Sequence, residues 1–391
     1  MNRDNILKEI LSIDTNSLCL ELATGTGKSK LAIEYMDKYK PKTVLVVVPR
    51  LVLIENFKEE LRKWNKDYYI NIITFTTYVS LPKYIGRKYD FAIFDEAHHL
   101  SERCREALCE IQIKRKAFLS ATLNREISNY LIDTFNTIFY KISMRKAIDS
   151  EILIDPKVFL LPLTLDTSFP TESIWKNPKG KEPVVEVPWA TRWSAIKQKV
   201  YKVRIYCTEH QYHQDLCSQI DWYKTKYMRT RSEAIKAKWL KVAGDRLKWL
   251  SDKKMNTMKS LKEHFKNERV LLFCNSIEQT EELGNCINSK FKSSLITLED
   301  FNNGKINQIS AVNMLNEGCN LVNCRIGIYG NLNSSEIIVK QRLGRILRHK
   351  DPIIIIPYYK NTREEELVTK MLEDYNPELI KTINNIKEIT L

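Results

Sequence analysis

No C-x-x-C pair occurs among the nine cysteines of this 391-residue chain. The tightest spacings, Cys104 with Cys109 and Cys319 with Cys324, are wider than the paired ligands of zinc ribbons and iron–sulfur clusters. These cysteines read as reduced thiols, mostly core filler. No apolar run approaches 18 residues and no hydrophobic stretch follows Met1, so neither a membrane span nor a secretory leader is expected. Together these absences point to the cytoplasm, or the host cytoplasm if the chain is viral. Internal repeats and low-complexity tracts are absent too, which removes solenoids and fibrous arrays. Charge of one sign is short: 62 Lys and Arg stand against 48 Asp and Glu, a net +14. Such an excess suits a polyanion, because neutralised phosphates release counterions, although a genome rich in lysine codons would give the same balance.

A hydrophobic content of 43% lets two domains each bury a core. Residues 1–150 alternate short apolar runs with amphipathic stretches. Leu18–Leu22, Thr43–Val48, Ile70–Phe75, Phe91–Phe94 and Ala117–Leu119 read as parallel strands, with helices over Lys30–Tyr39 and Leu51–Trp64. Residues 246–391 repeat the pattern, with strands expected over Val270–Cys274, Ser293–Thr297, Arg325–Tyr329 and Pro352–Pro357. Helices are expected there over Ile277–Ser289 and Ser335–Leu347. The fold class is α/β: two tandem domains of parallel sheet flanked by helices.

Residues 151–245 differ and read as a linker with a basic, mainly helical insertion. From 167 to 245, fifteen Lys and Arg face eight Asp and Glu, and five of the seven tryptophans lie there (Trp175, Trp189, Trp193, Trp222, Trp239). Interleaved aromatics and cations can stack bases and pair phosphates. The same composition also fits a solvated helical insertion packing its own small core.

Three strings in the first domain carry chemistry. Ala23-Thr24-Gly25-Thr26-Gly27-Lys28-Ser29 follows a strand and opens a helix. Its glycines let backbone N–H groups wrap phosphates, Lys28 supplies a cation, and Ser29 offers a hydroxyl to Mg²⁺. Leu22 stands where the general phosphate-loop pattern has glycine. Asp95-Glu96-Ala97-His98 ends the strand Phe91–Phe94. Asp95 suits Mg²⁺ and Glu96 suits orientation and deprotonation of an attacking water. The third string is Ser120-Ala121-Thr122. In the second domain Gln341, Arg345 and Arg348 share a helical face at i, i+4 and i+7. That face can supply positive charge to a γ-phosphate in the transition state.

Taken together these strings resemble the superfamily 2 helicases and translocases, over nearly the whole chain outside the insertion. Ala23–Ser29 is similar to motif I, Asp95–His98 to the DEAH form of motif II, Ser120–Thr122 to motif III and Gln341–Arg348 to motif VI. Val47–Arg50 resembles motif Ia, Thr74–Tyr78 motif Ic, Leu271–Ser276 motif IV and Glu317–Leu321, with Gly318, motif V. The Gly-Arg-Ile-Leu-Arg-His ending is most similar to the phage UvsW-like DNA helicase branch. The resemblance implies two RecA-like domains, ATP and Mg²⁺ in the cleft between them, and nucleic acid across both. DNA is favoured over RNA, no membrane is involved and no oligomer is required. Nucleic-acid contacts are implied for Pro49, Arg50, Thr76, Thr77, Asn275 and Ser276, and coupling roles for His98, Ser120 and Thr122. Three departures stand out. No glutamine precedes Gln112, so an adenine-reading Gln is missing; Asn320 replaces the usual Asp of motif V; and with 22 residues before Ala23 an N-terminal recognition domain is not expected. An RNA helicase, or a non-catalytic clamp on a helicase scaffold, are the alternative readings.

Overall fold

The structure is a computed structural model that describes residues 3–176, 203–287, 293–312, 321–332, 346 and 349–390. The chain opens with helix α1 (Arg3–Ser12) and strand β1 (Ser17–Leu22). A glycine loop then leads into α2 (Lys28–Lys38), followed by β2 (Val44–Val48) and α3 (Val52–Lys63). Next come β3 (Ile73–Thr77), β4 (Lys88–Phe94), α4 (Glu102–Glu110) and β5 (Gln112–Ser120). α5 (Arg125–Phe135), β6 (Ile138–Ile142) and α6 (Met144–Asp149) complete this part. The six strands form one sheet in the order β3-β2-β4-β5-β1-β6, parallel at every pairing.

Helices cover both faces of this sheet, as the continuous apolar runs require. Leu18, Leu20, Leu22, Val44, Val46 and Val48 join one buried cluster, whereas Cys19, Leu45 and Val47 join another. This period-two alternation feeds two cores. Tyr35, Phe91, Phe94 and Phe118 are fully buried, and burying each such side chain is worth roughly 1.5–3 kcal/mol.

The chain then enters a second sheet with β7 (Lys157–Leu163), inside the stretch read from sequence as linker. A two-stranded antiparallel ribbon follows, β8 (Glu172–Lys176) with β9 (Val203–Cys207). Two long helices come next, α7 (Glu209–Thr230) and α8 (Glu233–Lys253), and then α9 (Met255–His264) and β10 (Val270–Phe273). α10 (Ile277–Leu283), β11 (Cys286–Ile287), α11 (Ser293–Asn302), β12 (Gln308–Ala311) and β13 (Ile326–Tyr329) continue the unit. β14 (Ile353–Tyr359), α12 (Arg363–Leu372) and β15 (Ile380–Thr382) end it. The sheet order is β11-β12-β10-β13-β14-β7-β15, again parallel throughout. A fully buried ion pair pins it: Lys254 Nζ lies 2.5 Å from Glu364 Oε1, and Glu364 Oε2 accepts the Tyr359 N–H at 3.0 Å.

Three local expectations change. The strand read over Ile70–Phe75 begins at Ile73, because Asp67–Ile72 is a 3₁₀ segment. The Tyr68 and Tyr69 hydroxyls both reach Asp37 Oδ1 at 2.8 Å and hold that segment against α2. The strand read over Ser293–Thr297 is helical: Ser294 and Phe301 are buried seven residues apart while Leu295 and Ile296 are exposed, a 3.6-residue period rather than a two-residue one. The helix read over Ile277–Ser289 stops at Leu283, where Gly284 takes a φ of 77° and lets the chain turn into β11. The helix read over Ser335–Leu347 lies outside the described residues apart from Ile346.

Candidate nucleotide site

In an open parallel sheet, ligands collect beyond the carboxyl ends of the strands. The first sheet delivers β1 into Ala23–Gly27, β2 into Pro49–Arg50, β3 into Thr77, β4 into Asp95–Glu96 and β5 into Ala121–Thr122, all on that one edge. The loop after β1 turns through Gly25 (φ 94°) and Gly27 (φ 90°, ψ 34°), left-handed conformations that favour glycine. Thr26 Oγ1 donates to Ala23 O at 2.8 Å and closes the turn. Lys28 is the first residue of α2, and its ammonium donates to Leu22 O at 3.4 Å, so the side chain folds back over the loop. Thr24 Oγ1 is buried without a hydrogen-bond partner.

A cavity of about 230 Å³ opens here, lined by Thr24, Lys28 and Ser29 from the loop and by Asp95 and Glu96 from the end of β4. The far wall is α3, which contributes Asn56, Phe57, Glu59 and Glu60. The sequence reading missed this wall; its signal was the i, i+3, i+4 spacing of Asn56, Glu59 and Glu60 on one helical face. A larger cleft continues past Gly25 and Gly27 between α1, Trp64 and residues 149–154. At its edge Lys30 Nζ stands 4.0 Å over the Trp64 ring, whose Nε1 donates to Glu60 Oε2 at 2.8 Å.

The second string is held stiffly. Asp95 N donates to Val47 O (2.8 Å), Tyr78 Oη donates to Asp95 O (2.7 Å), and Asp95 Oδ1 accepts the Glu96 N–H (3.1 Å). Glu96 occupies the left-handed region at φ 50°, ψ 58°, unusual for a residue with a side chain of this size. Its Oε2 is buried without a hydrogen-bond partner and lies 3.4 Å from His98 Nδ1, close but without hydrogen-bond geometry. The same His98 Nδ1 is 3.3 Å from Ser120 Oγ, which donates to Thr122 O at 2.7 Å. The second and third strings are thus one polar chain, Glu96–His98–Ser120–Thr122, with Ser120 fully buried and Thr122 Oγ1 left without a partner at its end.

Thr76 is buried and Thr77 half-buried at the end of β3, while Arg50 is exposed beyond β2. In the second sheet Ser276 caps α10, its hydroxyl accepting from Gln279 N at 3.3 Å, and Asn275 N donates to Gln279 Oε1 at 2.8 Å. Gly318, Gln341, Arg345 and Arg348 lie outside the described residues. Among the described residues no cluster of metal-ligating side chains occurs, all eight cysteines are free, and no helix is long and apolar enough to cross a membrane.

Residues 4–125 match the family described as type III restriction enzyme, res subunit, and residues 253–350 match the helicase conserved C-terminal domain. Over 381 residues the chain is 21% identical to a DNA 3'-5' translocase, XPB2, of Sulfurisphaera tokodaii, spanning 90% of this chain and 78% of that protein. Among solved structures it resembles S. cerevisiae Dbp5 bound to RNA and ADP BeF3, with a TM-score of 0.57 at 9% identity over 98% of this chain and 89% of that one. It also resembles the ATP-dependent type ISP restriction-modification enzyme LlaBIII bound to DNA, with a TM-score of 0.54 at 13% identity over 98% of this chain and 31% of that one. The two sheets are the tandem domains of a helicase fold, and the two family matches together with the translocase relative support a superfamily 2 helicase. As in that class generally, it is an ATPase.

Proposed function

We propose that the chain is an ATP-driven translocase or helicase acting on DNA. The observation that carries this reading is the convergence of a phosphate-wrapping loop, a strand-end carboxylate pair and a buried polar chain on one edge of one sheet. The residues present fit a Mg²⁺-nucleotide. The 230 Å³ cavity, the left-handed glycines and the unpartnered Thr24 hydroxyl offer donors and space for phosphates. Lys28 neutralises charge, and Ser29 with Asp95 supplies the hard oxygen donors that Mg²⁺ prefers. When bound, the nucleotide supplies the phosphoryl group whose transfer to water drives the cycle.

The protein's own contribution is positional. Glu96 has a buried oxygen with no competing donor, so it is poised to accept the proton of an attacking water. His98 and Ser120 link that carboxylate to the loop after β5, so a change at Glu96 is felt at Thr122. Gln341, Arg345 and Arg348 are assigned to the opposite wall, Gln341 aligning the water and the arginines neutralising transition-state charge. Gly318 would approach the nucleotide from the same domain. Pro49, Arg50, Thr76 and Thr77 share the carboxyl edge of the first sheet, and Asn275 and Ser276 that of the second. They form the proposed track for the sugar–phosphate backbone, a kind of contact that positions a strand without reading its sequence. DNA rather than RNA is supported by the likeness to the Sulfurisphaera tokodaii DNA 3'-5' translocase.

The test is ATP turnover by the purified protein with single-stranded, duplex and branched DNA and with RNA, each at two salt concentrations. Stimulation by DNA that weakens with salt is expected. Greater stimulation by RNA would move the assignment to an RNA helicase, and no turnover with any nucleic acid would leave a non-catalytic clamp.

A further inference from the structure

Helices α7 and α8 form an antiparallel hairpin of 22 and 21 residues, about 30 Å long at 1.5 Å per residue. Its root is anchored. Lys253 Nζ pairs with Glu172 Oε1 at 2.5 Å and Glu209 Oε1 at 2.9 Å, tying both helices to the β8–β9 ribbon. Tyr212 packs on Trp249, and His213, Leu216, Ile220 and Leu250 are buried there. Beyond the root the burial ends. From Asp221 to Trp249, all of them described, not one side chain is buried, so the distal part of the hairpin stands in solvent.

Charge is distributed along the same axis. Residues 209–221 carry three carboxylates and no Lys or Arg, whereas residues 222–238 carry six cations and the single carboxylate Glu233. Lys224, Lys226 and Arg229 project from α7, Arg231 sits in the turn, and Lys236 and Lys238 follow on α8. Aromatic rings are interleaved with them. Lys226 Nζ lies 4.6 Å over Trp222, itself 56% exposed, and both Arg231 and Lys236 lie 5.8 Å from the Tyr227 ring. A slender, coreless tip with a net +5 in 17 residues repels itself, which is destabilising unless a polyanion closes on it.

We propose that this tip is a second nucleic-acid grip, separate from the ATPase edge, and that it holds the backbone of duplex DNA. The convex shape decides between forms. Single strands are held in cationic grooves lined with stacking rings, whereas a duplex presents one phosphate per roughly 1.7 Å of axis to a protruding surface. With its root tied to the β8–β9 ribbon through Lys253, the hairpin would hold duplex while the ATPase edge works on the strand. This rests on the nucleic-acid motor reading above.

The test uses the full chain with Lys224, Lys226, Arg229 and Arg231 all changed to alanine, beside the wild type. Binding to a fluorescent 30-base-pair duplex and to a single strand of equal length is followed by anisotropy across a salt series, with the thermal midpoint as a check on folding. The expected result is a duplex affinity lower by about tenfold or more at low salt, and a log–log salt slope shallower by about 3 to 4. Single-strand-stimulated ATPase and the thermal midpoint should stay within error of wild type. If the variant folds and its duplex affinity and slope match wild type, the grip is refuted while the motor stands. Equal losses on duplex and single strand would also refute the assignment to duplex. If the wild type itself shows no nucleic-acid-stimulated ATPase, the motor reading fails instead. A second variant, Lys236→Glu with Lys238→Glu, repeats the test on the other helix.

Discussion

Replacing Glu96 with asparagine should make the protein more stable and nearly inactive. Two costs converge on this residue. Its backbone is left-handed, at φ 50° and ψ 58°, where asparagine is several-fold more frequent than other residues with a Cβ. A several-fold preference is worth about 0.6–1 kcal/mol through RT ln of the ratio. Its carboxylate Oε2 is buried without a hydrogen-bond partner, and a buried unsatisfied polar group costs about 1–3 kcal/mol. The polar His98 Nδ1 at 3.4 Å and the 14% exposure of the side chain offset part of that second cost. A net stabilisation of about 1–2 kcal/mol remains, equivalent to roughly 2–6 °C in the midpoint of a 150-residue unit. Against this, loss of a positioned general base lowers turnover by about 10²–10⁴. The assays are thermal unfolding without nucleotide and steady-state ATP hydrolysis with saturating DNA. Nucleotide binding should persist, since Lys28 and the glycine loop are untouched. A variant that is less stable than wild type would refute the strain argument, and one that turns over normally would remove Glu96 from its role. A gain in stability coupled to a loss of activity is the mark of a residue held for function.

Other consequences can be checked separately. Glu364→Gln leaves the Lys254 ammonium fully buried without its counter-charge and should cost about 3–5 kcal/mol in urea unfolding; a loss below about 1 kcal/mol would contradict the pairing. Gly330→Ala would bring a Cβ to 2.7 Å from Met258 Cε and 3.0 Å from Phe273 O, and the backbone oxygen cannot give way. A loss of about 1–3 kcal/mol is expected by the same measurement. At the hairpin root, burial, with Arg246 and His210 adding to it, pushes the His213 imidazole down from 6.5 to about 4. A folded-state value below the unfolded one means the unfolded chain takes up the proton first. The stabilisation is therefore present above pH 6.5 and lost as pH falls toward 4. After solvent screening this amounts to about 1–2 kcal/mol. Amides of residues 209–253 should exchange faster at pH 5 than at pH 7 once intrinsic rates are corrected, and His213→Leu should abolish that difference.

The parts of the site legible in the sequence were those whose chemistry is local. Gly25, Gly27 and Lys28 announce the glycine loop that opens α2 because backbone conformation and charge are specified within seven residues. Asp95 and Glu96 were visible because an apolar run ended on two carboxylates. The left-handed turn at Glu96 was not visible, since nothing in Phe-Asp-Glu-Ala marks it; it is imposed by Val47 O and Tyr78 Oη holding Asp95 from outside. The wall formed by α3 was hidden for a similar reason: Asn56, Glu59 and Glu60 look like an ordinary solvated face until the loop before α2 packs beside it. In the second unit, β7 was obscured because its parallel partner β14 lies nearly 200 residues further on. Ser293–Thr297 misled because β-branched residues raise strand propensity, while burial of Ser294 and Phe301 on one face decided for helix.

The central claim is that ATP hydrolysis at the edge of the first sheet moves the protein along DNA. Displacement of streptavidin from end-biotinylated single-stranded and duplex DNA, followed alongside ATP consumption, tests this most directly. The account predicts ATP-dependent displacement by the wild type and none by Lys28→Ala or Glu96→Asn. Brisk DNA-stimulated ATP consumption with no displacement from either DNA would contradict it.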